Sequence, residues 1–157
     1  MPSLRTQALA LGVAAATFGA IASTASASTN VIVEVQIQAR IFKKDPAIKG
    51  LNHVNPKTKA QVEALIPRYR HLEKRFRTAA NAVAGSSANT ASQRLGRTQW
   101  SAGARTFANG LNEFDAGLEQ LLHGKQSQAK QTIIAANKKL QAADKLIAKG
   151  DHTLGLA

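Results

Sequence analysis

From Val62 to Ile147 the apolar residues of this 157-residue chain recur at alternating intervals of three and four. That period belongs to a helix burying one narrow stripe, because alternate residues of a strand point to opposite faces. Val62, Leu65, Tyr69, Leu72, Phe76, Ala79 and Val83 form a first stripe. Trp100, Ala104, Phe107, Leu111, Phe114, Leu118 and Leu121 form a second, and Ala129, Ile133, Ala136, Leu140, Ala143 and Ile147 a third. The spacing predicts three long helices with coiled-coil-like heptads.

Helix-ending residues stand where the stripes stop. Asn55-Pro56 predicts the first start, since Asn caps a free amide and Pro at the first helical position needs no donor. Ala84-Gly85 predicts its end, and Pro67 predicts a kink or break inside it. Residues 86–92 are a small-residue loop, and Thr90 and Gln93 have the spacing of a capping box for the second helix. His123-Gly124 closes that helix. After a short turn at 125–128 the third runs to Gly150, with Leu154 and Leu156 folding back on its last turn. So short a turn makes the second and third helices antiparallel.

Residues 31–42 are ambiguous. Val33, Val35, Ile37, Ala39 and Ile41 alternate with Glu34, Gln36, Gln38 and Arg40, which taken alone is a strand pattern. No second strand candidate exists in the chain, so a lone strand would need another chain to pair its backbone. The segment is therefore predicted as a short helix, with Val33, Ile37 and Ile41 on one apolar face and Val35 and Phe42 beside it. The alternative is an edge strand pairing between chains. Asp45-Pro46 ends it either way. The predicted fold is an all-α antiparallel helical bundle of three long helices plus a shorter N-terminal helix.

Arg5, an apolar run over residues 8–22 and Ala25-Ser26-Ala27-Ser28 have the order of a secretory signal peptide, with cleavage after Ala27. The run is Ala-rich and falls short of the roughly 20 strongly apolar residues of a membrane span. The sequence thus predicts a leader over 1–27 and a single secreted, extracytoplasmic bundle domain over 28–157. The Ala- and Arg-rich usage points to a bacterial source.

Composition excludes several chemistries. The chain has no cysteine and one Met, the initiator, which removes disulfides, zinc ribbons, iron–sulfur clusters, thiol nucleophiles and methionine-rich metal sites. Glu119 and His123, four apart, are the nearest approach to a metal pair, and a di-iron bundle needs Glu-x-x-His pairs on two helices; no metal and no cofactor are expected. Ser86-Ser87 has no His or Asp nearby in sequence, and Glu113 and Asp115 diverge around a helix, so no enzyme is expected.

Charge is the positive signal. Lys and Arg number 21 against 9 Asp and Glu, a net +12 that becomes 20 − 9 = +11 without the leader's Arg5. Such a field draws anionic polymers and surfaces. Arg68, Arg70, Lys74, Arg75 and Arg77, with His71 among them and only Glu73 opposing, are the candidate anion-binding residues, placed opposite the first stripe; the bland alternative is an ordinary solvated face. No ring is interleaved with them, Tyr69 and Phe76 pointing to the core, which argues against base stacking and against sequence-specific nucleic-acid binding. The predicted function is a secreted, non-enzymatic binding protein for an anionic polymer, a membrane surface or a protein partner. The alternative is an extracytoplasmic chaperone-like protein.

One feature is less ordinary. Gly96, Gly103, Gly110, Gly117 and Gly124 recur every seven residues. Gly124 suits a helix end, but each mid-helix Gly costs roughly 1 kcal/mol against Ala. Seven residues are two turns, so the other four form a ridge beside the Trp100–Leu118 stripe. The ridge is predicted to admit the third helix at close range; a ligand groove and unconstrained drift are the alternatives.

Overall fold

The computed structural model describes residues 29–49, 56 and 58–156. The expected leader and Asn55 lie outside these residues. Five helices follow in order: α1 Val31–Lys44, α2 Pro46–Lys49, α3 Lys59–Gly85, α4 Ala91–Leu122 and α5 Gln126–Leu154. The described residues hold no strand, and the architecture is an all-α helical bundle. Among the described residues no helix is long and apolar enough to cross a membrane.

Several boundaries correct the sequence expectation. α3 starts at Lys59, because Thr58 and Gln61 form a capping box in which each side chain accepts the other's backbone N–H. That pairing satisfies two orphan amides at once, which Asn55-Pro56 could not do as economically. Pro67 does not break α3, which runs through it from Lys59 to Gly85. Pro67 and Glu63, whose carbonyl loses its partner, are both exposed, so the bond lost to the ring lies on the solvent side. α3 does end at Gly85 as expected, but not through a left-handed cap: Ser86 closes it with φ −72°. Gly150 does not stop α5 either. The stop is Gly155, in the left-handed conformation at φ 71°, and Leu154 belongs to the helix itself. Thr90 caps α4 by accepting from the Gln93 N–H at 3.1 Å, while the Gln93 side chain accepts from Asn89 N–H rather than from Thr90.

α1 is helical, as its sequence predicts, but it turns the other face inward. Val31, Val35, Gln38 and Phe42 are buried, whereas Val33 and Ile37 are 37% and 39% exposed. The reason is aromatic packing. Phe42 stacks on Phe76 of α3 at 4.3 Å, and Phe76 stacks on Phe107 of α4 at 4.2 Å. The start of α1 is pinned separately: Val31 N–H donates to Ser87 O at 2.9 Å and Ser87 N–H to Thr29 O at 3.0 Å. Farther along, Tyr69 stacks on Phe114 at 4.7 Å.

The glycine ridge is covered by α5. A Cβ built on Gly103 would lie 2.8 Å from Ile147 Cγ1, on Gly110 2.8 Å from Leu140 Cδ2, and on Gly117 2.6 Å from Ile133 Cγ1. Gly96 faces Leu154 in the same way. The facing residues, 133, 140, 147 and 154, are themselves seven apart and run in reverse order, as antiparallel helices require. α5 answers with its own small series, Ala129, Ala136, Ala143 and Gly150, all buried. At Gly150 a Cβ would meet the Trp100 backbone nitrogen at 2.9 Å, which is why this position is Gly without being a helix end. Large residues of one helix thus sit over small ones of the other, and the ridge leaves no groove for a ligand.

α4 is the shared wall of the bundle. α5 packs on one flank of it and α3 on the other, and α3 and α5 scarcely meet. A wide arc of α5 therefore remains on the surface.

Candidate anion-binding site

The basic stretch at 68–77 does not form one open face. Arg70 crosses to α4, where its Nε donates to Asp115 Oδ2 at 2.9 Å and its Nη2 to Glu119. These two carboxylates, Asp115 foremost, stabilise the charged guanidinium further and push the Arg70 pKa upward. Arg77 leans the same way, onto Glu73 and the Asn109 amide oxygen. Arg75 leans the opposite way, its Nε 3.5 Å from Asp45 Oδ2. Arg68 and Lys74 are exposed and make no ion pair among the described residues. A wheel places these side chains together, but long arginines on its shoulders reach carboxylates of neighbouring helices that a single-helix projection does not contain.

Asp45 is the residue that the sequence hid. Its side chain is 2% exposed and sits at the joint between α1 and α2. Oδ1 accepts from Ala47 N–H at 2.9 Å, and Oδ2 pairs with His71 Nε2 at 2.9 Å. Burial works against its ionisation, yet the His71 and Ala47 hydrogen bonds and the His71 and Arg75 charges together hold the carboxyl below its ordinary value. Asp-Pro announced a helix end; only the fold shows that the same Asp ties that end to α3.

Unpaired cations gather instead on α5. Lys130, Lys138, Lys145 and Lys149 are exposed and make no ion pair among the described residues, whereas Lys139 turns to Glu113 of α4. The acids of α5 are Asp144 and Asp151. Asp151 is half-buried beside Trp100; burial raises its pKa to about 6, partly offset by the hydrogen bond with the Trp100 side chain. The signal for this face was in the sequence, as lysines spread over two and a half heptads, but the denser run on α3 outweighed it.

The remaining candidates disperse. Glu119 is engaged by Arg70, and His123 is the exposed residue closing α4. Among the described residues no three His, Asp or Glu side chains gather as metal ligands. The Ser86 hydroxyl donates to Val83 O at 2.6 Å, and Ser87 is held in the backbone bridge to Thr29 and Val31. Compared with protein-family models, curated proteins and solved structures, the chain matches none.

Proposed function

We propose that the protein is a non-enzymatic, extracytoplasmic helical scaffold that binds an anionic polymer through its surplus cations. One observation carries this reading. Six of the nine acids, Asp45, Glu63, Glu73, Glu113, Asp115 and Glu119, lie in internal ion pairs. Four of the six join helices and two, Glu63 and Glu73, pair within α3, while exposed lysines and arginines are left without local compensation. A protein so arranged presents a field to a polyanion rather than a neutral mosaic.

A client-holding role would need a contiguous apolar surface. Among the described residues the exposed large apolar side chains, Val33, Ile37, Leu95 and Ile134, are divided among three helices. The test is retention on an immobilised polyanion such as heparin. Binding is expected in about 50 mM salt and release well below about 1 M, since contacts of this kind weaken as a power of salt concentration. Passage through the column at low salt, or retention indifferent to salt, would refute the reading.

A further inference from the structure

We infer that the outward face of α5 is the docking site for a linear, base-free polyanion, a polyol- or glycan-phosphate chain laid along the helix axis. The inference rests on the anion-binding reading above and assigns it a place and an occupant. At a rise of 1.5 Å per residue, Lys130, Lys138, Lys145 and Lys149 form a row about 28 Å long, with steps of about 12, 10 and 6 Å, within about 100° of arc. All four are exposed and unpaired among the described residues. Asp144 projects off this arc, and Asp151 is turned to Trp100.

Residue type supports the same occupant. α5 contains five lysines and no arginine. Arginine serves pairs of fixed geometry, as Arg70 does with Asp115; lysine is a hydrated point charge on a flexible stem, suited to a mobile chain of phosphates. α5 carries no Phe, Tyr or Trp, so bases would find no stacking platform. A membrane surface fits less well. An interfacial helix buries its apolar face in lipid, and the apolar face of α5 is already packed on α4.

The experiment measures equilibrium binding of the full chain to poly(glycerol phosphate). One variant carries Lys130→Gln, Lys138→Gln, Lys145→Gln and Lys149→Gln. A second removes the same charge elsewhere, with Lys43→Gln, Lys44→Gln, Arg68→Gln and Lys74→Gln. Gln is nearly as good a helix former as Lys, so the helices should persist. The α5 variant is expected to lose at least about tenfold in affinity at about 50 mM salt, with the log–log salt slope shallower by about 3. The second variant is expected to stay within about threefold, because its four cations lie off α5. Should the fourfold α5 variant melt early, the Lys138→Gln/Lys145→Gln and Lys130→Gln/Lys149→Gln pairs carry the same test, each removing about half of that slope. Equal losses in both fourfold variants, or a larger loss in the second, overturn the α5 assignment and leave the anion-binding reading standing. No binding by the unaltered protein overturns both. Tighter binding to poly(dT) of equal charge, or to phosphatidylglycerol vesicles, overturns the base-free polymer as occupant.

Discussion

Replacing Gly103 by Ala adds one methyl group where α4 and α5 meet backbone to backbone. The new Cβ would stand 2.8 Å from Ile147 Cγ1, 2.9 Å from Ile147 N and 3.1 Å from Ala143 O. Ordinary non-bonded carbon contacts settle at about 3.5–4.0 Å. A rotamer change can move Cγ1, but the two backbone atoms can yield only if α5 retreats by roughly half an ångström, loosening the contacts at Gly96 and Gly110 with it. Overpacking costs about 1–3 kcal/mol in general; with backbone atoms 2.9 and 3.1 Å away Gly103 belongs in the upper part of that range, about 2–3 kcal/mol, against roughly 1 kcal/mol of helix propensity gained by Ala. The expected net loss is about 1–2 kcal/mol, which lowers Tm by about 3–8 °C for a domain of this size. Thermal unfolding followed by far-UV circular dichroism measures it. Gly85→Ala is the control: Gly85 is exposed, lies outside the left-handed region and would set its Cβ in open space, so its Tm should hold or rise slightly. Gly117→Ala should cost less than Gly103→Ala, because Ile133 Cγ1 takes the contact while the nearest backbone atom, Ala129 O, is 3.5 Å away. A Gly103→Ala protein melting at or above the parent would refute the close seam.

Asp45→Asn keeps a capping oxygen for α2 but removes the charge facing His71 and Arg75, and should cost about 1–2 kcal/mol at pH 7 in urea unfolding. Because the Asp45 carboxyl is held below its ordinary value, its contribution is present above the unfolded pKa and disappears as pH falls through the folded one, so parent and variant should converge in acid; a constant gap down to about pH 2 would contradict the ion-pair origin. Asp151 has the opposite sign. With its pKa raised to about 6, the folded chain holds a proton that the unfolded chain has released, and stability falls as pH rises from about 4 to about 6. Asp151→Asn should therefore gain on the order of 1 kcal/mol at pH 7, discounted for partial solvent access, and little near pH 4; an equal gain at both would remove the carboxyl as its cause. EDTA should leave Tm unmoved, since Glu119 is committed to Arg70; a fall of several degrees would reveal a metal.

Long helices were legible because their stripes repeat over many turns, and the glycine ridge because its cost within a helix demanded compensation. Local ends were less so. Thr58–Gln61 and Asn55-Pro56 are both good start signals three residues apart, and only reciprocal capping decides between them. Gly150 and Gly155 are both glycines at the end of a stripe; which one stops the helix depends on Trp100 pressing against the former. The inward face of α1 was settled by Phe42 finding Phe76, a partner on another helix that periodicity within α1 cannot see. The same limit explains the candidate site. The density of cations at 68–77 was visible, but not that Asp45, Asp115 and Glu119 would reach two of them, Arg70 and Arg75, from elsewhere in the fold.

The most direct test of where a polyanion lies is lysine footprinting. The intact protein is acetylated with and without poly(glycerol phosphate), and each lysine's modification is read by mass spectrometry. Lys130, Lys138, Lys145 and Lys149 should be protected together by the polymer and lose that protection in high salt, while Lys43, Lys44 and Lys59 react alike in both samples. Protection spread evenly over all exposed lysines, or centred on Lys74 of α3, would contradict an α5 docking face.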